Sequence, residues 1–205
     1  MTEPGSEPYI SRILVTGDYL RMDQGQGDVG FILLNRRERI IYSVNPDDKT
    51  ILQISPGLMK KSLPKEIDLQ AKITEVKQMP ELSGRKSEYW QFFVNDKLCR
   101  SAVVAPGLMP EAIRAYAEYL DLLAFQHLST VQAIPAEMQD PCDLAVHVYR
   151  PLSVLDKGLP LREWVEQGQL QELIDYRQSF KVPDDSFKLP EDFVRTTLGS
   201  LEEES

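Results

Sequence analysis

The sequence predicts an α+β protein built on an antiparallel meander, a sheet of the kind that curls, sandwiches or closes. Three observations carry this. In the first 54 residues short β-like runs alternate with turn signals at Thr16-Gly17-Asp18, Gly25-Gln26-Gly27-Asp28, Arg36-Arg37-Glu38 and Asn45-Pro46-Asp47-Asp48, and connections that short leave no room for a crossover helix. A second set of strand-like runs lies between Ile67 and Ala105. After Pro110 the hydrophobic period changes from two to that of a helix, with one broad apolar stripe that needs a surface to cover.

Taken in order, Tyr9 to Thr16 reads as the first strand and Tyr19 to Gln24 as the second, with Tyr19, Arg21 and Asp23 on one face and Leu20 and Met22 on the other. Val29 to Asn35 and Arg39 to Val44 form the next pair, in which Ile40, Tyr42 and Val44 share a half-buried face. Thr50 to Ile54 completes the block. Ser55-Pro56-Gly57 interrupts the pattern, and prolines up to Pro64 forbid a central strand there. Ile67 to Met79 alternates again, Pro80 to Gly84 turns, and Glu88 to Val94 is an aromatic strand. Asn95-Asp96 turns it into Lys97 to Ala105.

The first helix opens at Pro110, where a missing N–H costs no intrahelical bond. Its stripe runs Ile113, Tyr116, Leu120, Leu123, Ala124, His127, Leu128 and Val131. A shorter helix starts from Asp140 as N-cap with Pro141 first and runs to about Tyr149, before Arg150-Pro151 stops it. Leu161 to Glu166 and Gln169 to Val182 return to strand, although Leu170, Leu173, Ile174 and Arg177 also fit a helical period. The stretch from Val182 to Phe193 is irregular, with two aromatics to dock.

At 205 residues one domain is the default. We place it at 9–195, with loose ends at 1–8 and at the acidic 196–205. A net charge of −9 opposes the clustered Lys and Arg that nucleic-acid binding requires. No stretch approaches the ~20 consecutive apolar residues of a membrane-spanning helix, and no export signal is visible at the N-terminus. Cys99 and Cys142 are the only cysteines. In the cytoplasm such a pair reads as two separate thiols, and in an oxidising compartment as a disulfide.

Several segments together resemble the LolA/LolB-like lipoprotein-carrier superfamily of bacteria: Gly17-Asp18-Tyr19-Leu20-Arg21-Met22-Asp23, the pair around Ile40-Ile41-Tyr42-Ser43-Val44-Asn45-Pro46-Asp47-Asp48-Lys49-Thr50, and the closing Asp185-Ser186-Phe187-Lys188-Leu189-Pro190. The resemblance implies a strongly curved antiparallel sheet, an unclosed β-barrel, with helices packed as a lid on its concave side over a cavity for acyl chains. It also implies the periplasm or cell envelope, reached after removal of a signal sequence. A chain complete as written would be cytoplasmic. No ligand residue of the family transfers by motif.

The chemistry-bearing residues are sparse. His127 lies on the apolar stripe, where a boundary histidine is the ordinary reading. Asp143 and His147 at i, i+4 share a helix face beside Cys142, but zinc needs four ligands and no second cluster supplies them. There is no Gly-x-Ser-x-Gly, no phosphate loop and no Cys with a persuasive His partner. We therefore expect no enzyme, no cofactor and no metal. The expected function is binding of an apolar molecule or acyl chain in the concavity, with Trp90, Phe92, Tyr116, Leu120 and Leu123 as cavity residues, and an envelope protein is the expected protein partner. The alternative is a structural or protein-interaction domain with a filled core, and a hydrolase on the same scaffold is a weaker third. Cys99, in the strand before the lid, and Cys142, at the start of the second helix, are expected to be bonded.

Overall fold

The computed structural model describes residues 7–25, 29–56, 67–74, 79, 81–132, 134–135, 138–149, 154–165 and 168–198. The chain divides into two compact units, Tyr9–Leu58 with Ser179–Ser205, and Met1–Pro8 with Met59–Gln178. The single domain expected at 9–195 spans parts of both. The structure is mixed α+β, mostly sheet, and neither large sheet closes into a barrel.

The first unit holds β1 (Arg12–Val15), β2 (Tyr19–Asp23), β3 (Phe31–Asn35), β4 (Ile40–Asn45) and β5 (Thr50–Ile54), in that spatial order. The turns hold the register. Asn35 Oδ1 accepts from Glu38 N at 3.1 Å, and Asn45 Oδ1 accepts from Asp47 N at 3.0 Å. Each turn then ends on a left-handed residue, Arg39 at φ 58° and Lys49 at φ 51°, so the side-chain amide takes up turn N–H groups that the ladder cannot reach. Alternation is only half the story here, because both faces carry buried residues. Leu20, Leu34 and Ile41 lie on one, and Leu33, Val44 and Ile51 on the other. Ile40 and Tyr42 are half-buried beside Val44, as expected, but Ile41 on the opposite face is buried as deeply.

The C-terminal segment covers part of the second face. Phe187 stacks on Tyr19 with ring centroids 5.3 Å apart, and Arg21 donates to the Ser186 carbonyl at 2.7 Å. A return strand, Val194–Thr197, then pairs with β5 in parallel. Thr196 and Thr197, expected in a loose end, are thus laddered to Leu52 and Gln53. Asp23 anchors the opposite edge of this unit, with a side chain only 2% exposed. It accepts from Arg12 Nε and Nη2, from Arg21 Nε and from Gly25 N, at 2.7–2.9 Å. Burial pushes its carboxyl pKa up, but these donors outweigh burial and hold it below the ordinary carboxylate value.

The second unit holds a five-stranded sheet. Its strands are β6 (Leu69–Thr74), β9 (Glu88–Val94), β10 (Lys97–Ala105), β11 (Leu159–Val165) and β12 (Leu170–Glu172), ordered β12-β11-β10-β9-β6. A small ribbon of β7 (Glu81–Leu82) and β8 (Arg85–Lys86) occupies part of the expected turn. β9 and β10 have the predicted bounds because alternation and turn chemistry agree: Asn95 and Asp96 both sit at positive φ, 48° and 64°, the primed geometry that matches strand twist. Gly158 sits at φ 148°, and a Cβ there would lie 2.6 Å from the Ala105 carbonyl oxygen. The chain can pass so close to the end of β10 only without a side chain. The segment after Gly168 is strand only to Glu172; the expected continuation to Val182 is irregular. The part of the expected Ile67–Met79 strand at 75–78 lies outside the described residues.

Two helices accompany this sheet. α1 (Pro110–Gln132) follows the predicted start. α2 begins as predicted at Pro141, with Asp140 accepting from Cys142 N at 2.7 Å, and passes after Asp143 into π-type turns over Leu144–Tyr149. The one broad stripe expected on α1 needs correction. Ala115, Tyr119 and Leu122 are buried in its first half, whereas Ala124, Leu128 and Val131 are buried in its second. At 100° per residue these sets lie about 180° apart, so the helix changes its buried face midway.

Candidate functional site

The disulfide organises the second unit. Cys99 and Cys142 are at disulfide distance with Cα atoms 5.4 Å apart, well inside the ~7 Å limit for bridging. The bond ties β10 to the start of α2. Around it Val94 and Ile67 from the sheet side pack with Leu128 and Val131 of α1 and with Leu144, Ala145 and Val148 of α2.

Beside this cluster lies a cleft of about 270 Å³. Its apolar wall is Cys99, Cys142, Val146 and Val165, and its polar groups are Asp143, His147 and Gln169. Here the i, i+4 reading holds: His147 Nε2 is 3.6 Å from Asp143 Oδ1. Sequence reasoning did not anticipate that the chain's two histidines meet, with ring centroids 5.7 Å apart. His127 is exposed, because it lies between the two buried faces of α1 rather than on either. Burial pushes the His147 pKa below 6.5, Arg100 and His127 push it the same way, and Asp143 opposes them. Arg100 itself is held by Glu163 at 2.6 Å, both largely buried. At neutral pH His147 is therefore an uncharged donor and acceptor in a mostly apolar wall.

The five expected cavity residues fall elsewhere. Phe92 is buried with Ala102, Val104 and Val154, and Trp90 packs against that group. Trp90 donates from Nε1 to Glu88 at 2.8 Å and has Lys157 over its ring at 4.6 Å. Tyr116 stacks near Tyr119 at 6.0 Å, and burial pushes the Tyr119 phenol pKa up. Leu120 and Leu123 are half-buried on the same line of α1 as Tyr116. None of the five lines the cleft at the disulfide. Cys142, Asp143 and His147 already form one helical cluster in the sequence, but their partners in the cleft, Val165 and Gln169, come from a hairpin more than fifteen residues away.

Among the described residues no group of His, Cys, Asp and Glu has metal-binding geometry, and no helix is long and apolar enough to cross a membrane. Comparison of the chain with protein-family models, curated proteins and solved structures returned no match.

Proposed function

We propose that the protein is a non-enzymatic binding protein of the cell envelope, which takes a lipid-like or otherwise apolar ligand against its five-stranded sheet. In this reading that sheet curves over α1 and α2 as a lid, as in the LolA/LolB-like carriers the sequence resembles. The observation that carries the reading is the cleft at Cys99–Cys142. A disulfide belongs to an oxidising compartment, and here it holds the helix at the mouth of a space walled mainly by apolar groups. Uncharged His147 and Gln169 would meet the polar end of such a ligand, since small-molecule sites are mostly apolar with a few fixed polar groups.

Displacement of a fluorescent fatty acid from the purified, oxidised protein tests this. Saturable binding that is lost in Val146→Lys, which places a charge in the cleft wall, supports it. Absence of saturable binding, or binding indifferent to Val146→Lys, contradicts it. The packing of Phe92 with Ala102, Val104 and Val154 favours a second reading, a filled structural or protein-interaction domain, and that reading gains if no apolar probe binds.

A further inference from the structure

A second cleft, of about 390 Å³, lies at the β11–β12 hairpin and is lined by Arg162, Trp164, Val165, Gly168, Gln169 and Leu170. We propose that it is a saccharide site, in which a neutral sugar ring stacks on Trp164. It shares Val165 and Gln169 with the cleft at the disulfide, but the proposal goes beyond the apolar-ligand reading and does not depend on it.

Ser101 of β10 pairs in register with Trp164 of β11 on one side and Gln91 of β9 on the other. Tyr89, one pleat along β9, leans toward Trp164 until the rings are near-parallel, 8° apart with centroids at 5.7 Å. The Tyr89 hydroxyl donates to Ser101 Oγ at 3.3 Å, and Ser101 is consequently only 2% exposed. The stacked rings are therefore fixed over a buried hydroxyl, while both remain half-buried. A surface immobilised before binding loses little further freedom when a ligand settles on it.

The rim supplies matched donors and acceptors. The Arg162 guanidinium lies over the Trp164 ring, 5.8 Å from its centroid, and pairs with Glu172 at 3.2 Å, both side chains about half exposed at 55% and 53%, so a sugar ring that stacks on Trp164 displaces this guanidinium toward the edge of the ring. Gln169 adds an amide that donates and accepts. Gly168, at φ 91°, puts bare backbone at the edge of the cleft. This pattern selects among ligands. An acyl chain needs no such ring of hydrogen-bonding groups, and a polyanion would meet a neutralised Arg162 on a chain of net charge −9. A pyranose has one face of C–H groups, which suits an aromatic plane, and hydroxyls around its edge that both donate and accept. The volume lies near the lower end of the ~300–1,000 Å³ usual for small-molecule sites, which suits one or two rings.

The test is saturation-transfer NMR on the oxidised protein with cellobiose, maltose and N,N′-diacetylchitobiose at millimolar concentration. Fluorescence in a Trp90→Phe background follows Trp164, since the chain has 2 tryptophans. At least one disaccharide should receive saturation on its ring C–H protons and perturb Trp164 emission. Trp164→Ala should weaken it about tenfold or more, as removal of a central aromatic anchor does, while Trp164→Phe retains binding. Gln169→Ala and Arg162→Ala should each weaken it severalfold. No saturation transfer to any of the three sugars overturns the proposal, as does transfer that survives Trp164→Ala. Should Trp164→Ala not fold by circular dichroism, unchanged binding in both rim variants overturns it instead. A fatty acid whose binding depends on Trp164 but not on Val146 would assign this cleft to acyl chains and overturn it too, whereas failure of fatty-acid binding altogether leaves the sugar result standing by itself.

Discussion

The two units secure their chain segments by different chemistry. In the unit with helices, a covalent bond from Cys99 to Cys142 joins β10 to α2. In the other unit, the ties are Asp23 with Arg12 and Arg21, the Phe187–Tyr19 stack and a parallel return strand. The first tie is insensitive to pH and salt but yields to reductant; the second resists reductant but depends on a carboxylate remaining charged. The contrast follows from what each sheet must hold. A short helix that changes to π-type turns after Asp143 has few intrahelical bonds to stabilise it, so a crosslink does what propensity does not. A segment lying on a sheet face can instead use the side chains that alternation already presents.

Breaking the covalent tie should have the largest effect. Replacing both cysteines by Ala should lower unfolding free energy in urea by about 4 kcal/mol, the chain-entropy value for a loop of this length, and a loss below about 1 kcal/mol would show that α2 is held by packing alone. Dithiothreitol should reproduce the effect in the native sequence and leave hydrogen exchange in the return strand unchanged.

Asp23→Ala comes next. It strands two guanidinium groups, of which Arg21 is 17% and Arg12 48% exposed, and should cost about 2 kcal/mol while raising exchange around Arg21 and Ser186. Asp23→Asn keeps some hydrogen bonding and should cost less. Because the folded pKa of Asp23 lies below its unfolded value, its stabilisation is present above about pH 4 and is lost as pH falls through the folded value. An acid titration of stability should therefore be flatter in Asp23→Asn.

His147 gives the helix-bearing unit its own pH dependence, in a different window. With the folded pKa below 6.5, the unfolded chain binds the extra proton first, so stability is full above about pH 6.5 and falls as pH drops toward the folded value. The protonated ring would face Arg100 of β10 and His127 of α1, with Asp143 of α2 opposing them and Glu163 of β11 paired to Arg100. His147→Gln should flatten the stability profile below about pH 6.5; an unchanged profile would show that His147 makes no contribution to it. The smallest effect is expected from Phe187→Ala, about 1 kcal/mol for loss of a stacked pair, seen as faster exchange in the return strand.

Particular elements show what the sequence could and could not reveal. β5, β9 and β10 have their predicted limits because strand alternation and turn residues such as Asn95-Asp96 mark the same boundaries. The return strand was not legible: Val194–Thr197 is exposed along its length, so no alternation marks it, and its partner β5 is remote in sequence. The face change in α1 was hidden because apolar residues at 113–131 occupy both sides and merge into one stripe when read linearly. The aromatic pair Tyr89–Trp164 depends on the register of β9, β10 and β11, including the shift between Val103 and Val104, which no local pattern encodes. The cysteine pair was the part of the site most legible from sequence, since the strand and helix that carry it were both recognisable.

The most direct test of the apolar-ligand reading is the mass spectrum of the natively purified chain, recorded under native and then denaturing conditions without reductant. The expected native mass exceeds that of the polypeptide by a lipid-like adduct, released on denaturation to leave a polypeptide lighter than its sequence mass by two hydrogens. A native mass equal to the bare polypeptide, in protein that also fails to take up added fatty acid, would contradict it.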